Sequence, residues 1–281
     1  MTECVRQKSA RWNDLWLRIL SAAVLAPVAL VCVWFGGAAF AGLVVLLAAG
    51  LCYEWLGLCG QRSSLAAMLL FAALPVSVAL TQFGTAASAL ILLAVATAAT
   101  TAYGRGLSPA RPLAFGIPYV GVAVVALVWL RQQPRSGGVN VIVLLLVVWA
   151  SDIGAYLAGR AIGGRRLAPS VSPGKTWSGA VGGLVAAAAV GFAASAILSD
   201  RLSSWRSASW RPVAFAVLIG ITGQAGDLFE SRLKRHFGVK DSGTIIPGHG
   251  GLLDRLDAML TAAPATALLA LILGRGVDVW E

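Results

Sequence analysis

Charge is what this sequence has least of. Only 12% of its 281 residues are Asp, Glu, Lys or Arg, about half the roughly 25% of a soluble domain. With 58% hydrophobic residues and a mean hydropathy of +0.80, it cannot cover a water-facing surface. Cysteine is scarce too. Cys4, Cys32, Cys52 and Cys59 form no CxxC pair and have no histidine nearby. That excludes a zinc ribbon and argues for reduced structural thiols. No low-complexity linker and no internal repeat is visible. The start of the chain does not read as a cleaved signal peptide, because its first apolar run is of spanning length and further runs follow.

What the chain has instead is long apolar runs, near 16–36, 38–55, 65–83, 85–103, 113–130, 138–159, 177–198, 211–228 and 257–274. Each approaches the roughly 20 residues needed to cross a bilayer as a helix. The expected fold is all-α, a polytopic bundle of about nine transmembrane helices with eight as the alternative count. It reads as a single integral membrane domain over 1–281, with N-terminal spans in 1–135 and catalytic spans and loops in 136–281. Counting Lys and Arg with the N-terminus inside gives 15 on the inner side and 6 on the outer, which favours a cytoplasmic N-terminus. The net charge of +10 therefore points to anionic lipid and an anionic substrate, not to nucleic acid.

Acidic residues number only 12, and Asp227, Glu230, Asp241, Asp254 and Asp257 all fall between 227 and 257. Asp152 sits near the end of the sixth run. Ionisable groups at membrane depth are costly and mark function. Asp227, Ser231 and Lys234 follow at i, i+4 and i+7, one stripe of a helix. Asp254 and Asp257 lie at the start of the last run. Between them KDSGTIIPGHGG has turn chemistry, so the chain can fold back and bring the two acidic ends together. Facing carboxylates suit Mg²⁺, and Lys234, Arg235, Lys240 and Arg255 can hold phosphates. A second basic, Gly-rich loop, GRAIGGRRLAPSVSPGKTWSG, belongs to the same side. Its SPGKT is not a P-loop, since GxxxxGK[ST] is absent, and a juxtamembrane anchor is the other reading of it.

Residues 231–257, SRLKRHFGVKDSGTIIPGHGGLLDRLD, resemble the signature of the phosphatidate cytidylyltransferase family at every fixed position: Ser231, Lys234, Arg235, Lys240, Asp241, His249, Gly250, Gly251, Asp254, Arg255 and Asp257. GDLFES at 226–231, SDIGAYLAGR at 151–160 and SPGKTWSG at 172–179 are similar to the family as well. One departure is Ser178, where the family usually carries an acid. The resemblance implies transfer of CMP from CTP to phosphatidic acid, giving CDP-diacylglycerol and pyrophosphate, with Mg²⁺ and a second cation. It implies metal ligation by Asp227 and Asp254, with Asp257 and Asp241 next. Phosphate would be held by Lys234, Arg235 and Lys240, with Ser231, His249 and Arg255 binding or orienting substrate. Asp152, Ser172, Lys175 and Thr176 would close the site from the other loop. It further implies a bacterial inner-membrane protein with its site toward the cytoplasm, with a homodimer as one arrangement. Two rival classes fit less well. A CDP-alcohol phosphatidyltransferase needs a DGxxAR string, which is absent. A secondary transporter would place its polar residues at the midplane within repeats.

Overall fold

The computed structural model describes residues 23–103, 110–134, 136–198, 210–246 and 250–272. The described chain is almost entirely helical. Helix α1 (Ala23–Phe35) is short and apolar. It is followed by α2 (Gly37–Leu58), α3 (Leu65–Phe71), α4 (Ala73–Phe83), α5 (Ala86–Tyr103), α6 (Ala110–Arg131) and α7 (Gly137–Ile162). After a hairpin of β1 (Arg166–Ala168) and β2 (Ser172–Thr176) come α8 (Trp177–Leu198), α9 (Trp210–His236) and α10 (Leu253–Ile272). With α3 and α4 counted as one span, eight helices among the described residues are long and apolar enough to cross a membrane. They coincide with the last eight expected runs; of the first run, 16–36, residues 16–22 lie outside the described residues and the remainder holds the short helix α1.

Two features bear on function. Helix α9 continues beyond its apolar run to His236, as the helical stripe of Asp227, Ser231 and Lys234 implies, so Asp227 and Lys234 stand on one rod. The SPGKT segment is not a loop but the second strand of an antiparallel hairpin, with Arg166 opposite Thr176 and Ala168 opposite Ser172. Gly163, at φ +66°, ends α7 with its N–H on the Gly159 carbonyl and turns the chain into that hairpin. Cys32, Cys52 and Cys59 are thiols, as expected, and Cys59 is buried.

Lipid is as apolar as leucine, so helices in a membrane gain little from hiding hydrocarbon and associate by close packing and hydrogen bonds. The packing of α7 to α10 shows this directly. A Cβ added at Gly182 of α8 would lie 2.2 Å from Ala158 Cβ and 3.0 Å from the Gly154 carbonyl of α7. One added at Gly226 of α9 would lie 2.1 Å from Thr261 Oγ1 and 2.9 Å from the Asp257 carbonyl of α10. Polar ties complete the packing. Gln224 Nε2 donates to Ser151 Oγ (3.2 Å) and to the Ala180 carbonyl (3.1 Å), joining α7, α8 and α9. Thr261 Oγ1 donates to the Thr222 carbonyl at 2.8 Å. At the other end of the bundle Arg131 Nε and Nη2 donate to the carbonyls of Val33 and Trp34, closing the end of α1.

Valine at Gly182 has to push α7 and α8 apart. Overpacking of this kind costs about 1–3 kcal/mol. Gly182→Val is therefore expected to lower the thermal midpoint in detergent clearly; an unchanged midpoint would show that the contact does not hold the two helices.

Candidate active site

Four helix ends and the hairpin meet at one end of the bundle. The C-terminal turns of α7, the start of α8, the last turns of α9 and the first of α10 enclose a cavity of about 710 Å³, well within the roughly 300–1,000 Å³ of small-molecule sites. Asp152, Lys175, Thr176, Asp227, Lys234, Asp241, Asp254, Arg255 and Asp257 line it. All nine were expected from the sequence. Arg160, Arg166, Tyr156 and Gln224 line it too and were not singled out. Ser172, Ser231, Arg235 and Lys240 are not among the lining residues. Arg235 turns back on its own helix end, its Nη1 3.5 Å from the Val239 carbonyl. His249 lies outside the described residues.

Lys234 Nζ is 2.7 Å from Glu230 Oε2, one turn earlier, and 2.7 Å from Asp254 Oδ1 across the helix boundary. Glu230 is fully buried, and a charge there is tolerable only because it is paired. Lys234 has three donors; two are committed, so it clamps α9 to α10 while its third faces the cavity. Asp254 also accepts from the backbone N–H groups of Ser242 (3.0 Å) and Gly251 (3.1 Å) through Oδ2. A carboxylate offers about four lone-pair sites. Three are filled here, and one on Oδ1 is left for a cation. Gly250, at φ +89°, exchanges two backbone hydrogen bonds with Ile246 and so brings Gly251 back toward Ser242.

The second loop reaches the same place. Lys175 Nζ, on β2, is 2.5 Å from Asp227 Oδ2 on α9. Thr176 Oγ1 accepts the N–H of Gly179 at 3.1 Å, capping the start of α8. Ser178, where an acid is usual in the family it resembles, donates to the Gly163 carbonyl and lies 3.0 Å from Thr176 Oγ1. It tethers the hairpin to the end of α7. Asp257 Oδ1 accepts the N–H of Ala258 at 2.7 Å, and its side chain lies against that of Asp227.

Two carboxylates were missed as site residues. Glu230 is in the acidic cluster but stood outside the fixed positions. Glu54, on α2, is fully buried and touches the loop before α10. An acid inside an apolar run was the available signal.

The sequence model described as the cytidylyltransferase family matches residues 16–273. The chain belongs to that family. It is 37% identical over 261 residues to a phosphatidate cytidylyltransferase of Brucella suis biovar 1 (strain 1330), covering 92% of this chain and 94% of that one. It is also 37% identical over 278 residues to one from Pseudomonas aeruginosa, covering 92% and 98%, and 43% identical over 155 residues to one from Haemophilus influenzae, covering 53% and 51%. Membership makes the chain a nucleotidyltransferase. A family defined by moving a nucleotide phosphate fits a cavity in which carboxylates and cations alternate.

The Lys175–Asp227 pair is partly exposed, with side chains 26% and 33% accessible, and such a pair adds only about 0–1 kcal/mol to stability. A lysine contact to phosphate is worth about 2 kcal/mol, roughly thirtyfold in rate. Lys175→Ala is expected to slow cytidylyl transfer by about that factor with elution and thermal midpoint near wild type. Unchanged kinetics would make the hairpin an anchor and nothing more.

Proposed function

We propose that this chain is a phosphatidate cytidylyltransferase, forming CDP-diacylglycerol and pyrophosphate from CTP and phosphatidic acid. One observation carries the reading: the polar cavity opens beside helix faces that are apolar and exposed. Ile153, Tyr156 and Leu157 on α7 are 60%, 62% and 58% accessible, and Val181 and Val185 on α8 are 56% and 64%. A nucleotide fits the polar side, and acyl chains fit the lipid-facing side. The names of the relatives support the same substrates.

The phosphate oxygen of phosphatidate attacks the α-phosphorus of CTP, the bond from that phosphorus to the bridging oxygen breaks, and pyrophosphate leaves. The nucleophile's second pKa is roughly 6, so it is already largely ionised and needs no strong base. Positioning and charge neutralisation are what the protein has to supply. Lys175, Arg160, Arg166 and Arg255 are the cations at hand for phosphate oxygens, with Lys234 contributing its third donor. Asp227, Asp254, Asp257 and Asp152 make a floor that would repel a triphosphate by itself. Their hard oxygen donors fit Mg²⁺. Among the described residues no three-ligand cluster is preformed, and Mg²⁺ commonly takes one or two carboxylates with the rest from substrate phosphates and water. Asp227, with the remaining lone pair of Asp254, would hold it, and Asp257 would stand next. When bound, the cation would offset the charge gathered around the α-phosphorus. Arg235, Lys240, Ser231 and Ser172 are assigned no contact in this reading.

The site would face the cytoplasm, where CTP is, from the bacterial inner membrane. Cysteines placed at Ser170 and Thr244, in a background without native cysteine, should then react with an impermeant reagent only after the cells are opened. Labelling of either from outside would overturn the sidedness.

Asp227→Asn is expected to abolish nearly all CTP-dependent lipid labelling while the protein stays monodisperse, because its ion pair with Lys175 is partly exposed and adds little to stability. Asp254→Asn should be as inactive but less stable, since an amide cannot satisfy both Lys234 and the two backbone N–H groups. Near-wild-type activity with unchanged Mg²⁺ dependence in either variant would remove that aspartate as a ligand and move Asp257 or Asp241 into its place.

A further inference from the structure

We infer that Glu54, in the N-terminal half of the chain, is a positioning residue for the cytidylyl-transfer site, holding the loop and helix end that carry Asp254. The inference rests on the reading of Asp227 and Asp254 as the site's working carboxylates.

Glu54 lies in the last turns of α2 and is 0% accessible. An ionised carboxylate in such a place costs several kcal/mol unless donors surround it. Its donors come from one segment, 188 to 199 residues further on. Oε1 accepts the N–H of Leu252 at 2.8 Å. Oε2 accepts the N–H of Leu253 at 2.8 Å and the hydroxyl of Ser242 at 3.1 Å. The N–H groups of Leu252 and Leu253 stand at the beginning of α10, where a helix has no partners of its own for them and where negative charge is favoured. Glu54 therefore caps α10 from another helix.

The next residue in the chain is Asp254. Ser242 links the two carboxylates directly: its hydroxyl is on Glu54 and its N–H is on Asp254. Any shift of Glu54 thus moves Ser242 and the first turn of α10 together, and with them the oxygen that Asp254 offers to Lys234 and to a cation. Two glycines keep room for this arrangement. A Cβ at Gly243 would lie 2.5 Å from Glu54 Oε1, and a Cβ at Gly251 would lie 2.0 Å from Ser242 Oγ. At these two positions a side chain would enter space that Glu54 and Ser242 fill.

Glu54 does not line the cavity, so its effect should appear in turnover and cation dependence, not in nucleotide affinity. The test uses the full-length protein in nanodiscs with labelled CTP and phosphatidate. Glu54→Gln presents an amide N–H where a donor now points. We expect kcat to fall about tenfold to a hundredfold, as for a displacement near 1 Å, with KM for CTP near wild type and a higher Mg²⁺ concentration at half activity. Gly243→Ala keeps every charge and pushes the Glu54 carboxylate back, so it should give the same signature; it decides the matter if Glu54→Gln does not fold. Trp55→Phe removes the neighbouring buried bond from Trp55 Nε1 to the Pro112 carbonyl, 3.1 Å, and should lower the thermal midpoint with kcat unchanged. Wild-type kcat and Mg²⁺ dependence in Gly243→Ala and in any folded Glu54→Gln would overturn the proposal. So would a fall in kcat in Trp55→Phe equal to that of Glu54→Gln at the same loss of midpoint. Asp227→Asn run alongside separates the two layers: if it also turns over normally the site reading has failed, whereas an inactive Asp227→Asn beside normal Glu54 and Gly243 variants fails Glu54 alone.

Discussion

Lys234 Nζ lies at 2.7 Å from both Glu230 and Asp254, and the geometry of the working end follows from that fork. Without the ammonium group, two carboxylates from α9 and α10 would face each other at the edge of a hydrocarbon layer, and one of them is fully buried. Like charges so placed would separate the helices or force a proton onto one acid. With it, the end of α9 is fixed to the beginning of α10, and the loop between them must fold back over the junction. Asp227, two turns before Lys234 on the same rod, is then carried to the cavity floor beside Asp257.

The small residues along α7, α8, α9 and α10 serve the same end from the opposite direction. Gly154, Gly182 and Gly226 let backbones approach until side-chain and carbonyl oxygens are in contact. In lipid such proximity is what makes helix pairs specific. It also holds the ends of α7, α9 and α10 where their carboxylates line one cavity. The cavity is thus a consequence of four helix ends that pack tightly below and diverge only where charges need water.

Much of this could be read from the residues in order. The spans followed from run length, and the clustering of acids at 227–257 followed from their scarcity elsewhere. The fold-back of the acidic ends followed from a Gly-rich turn between two apolar runs. Spacing was less informative about direction. Asp227, Ser231 and Lys234 fall on one helical stripe, yet only Asp227 and Lys234 reach the cavity wall, because the helix presents a full face and the cavity takes only part of it. Arg235 and Lys240 fill fixed positions of a specific pattern but do not line the cavity. The hairpin at 166–176 was not legible as strands, since Arg-Leu-Ala and Ser-Pro-Gly-Lys-Thr are too short to carry an alternation to detect. Glu54 was marked only as an acid inside an apolar run; its part in the site was not legible, because its partners lie nearly two hundred residues away and a local pattern cannot register a contact of that range.

That distance also bears on the place of α2 in the proposed site. Helix α10 packs against α6 as well as α9, and its first N–H groups are held by a side chain of α2. A helix that carries the site's carboxylates at one end needs a reference outside its own hairpin, because α9 and α10 could otherwise tilt as a pair while keeping the Lys234 fork intact. Contacts within the pair cannot resist such a motion; only a group anchored elsewhere can. An apolar α2 bearing one buried carboxylate meets that requirement with the least polar surface placed in lipid. In the proposed arrangement it gives α2, which lines no part of the cavity, a link to the site.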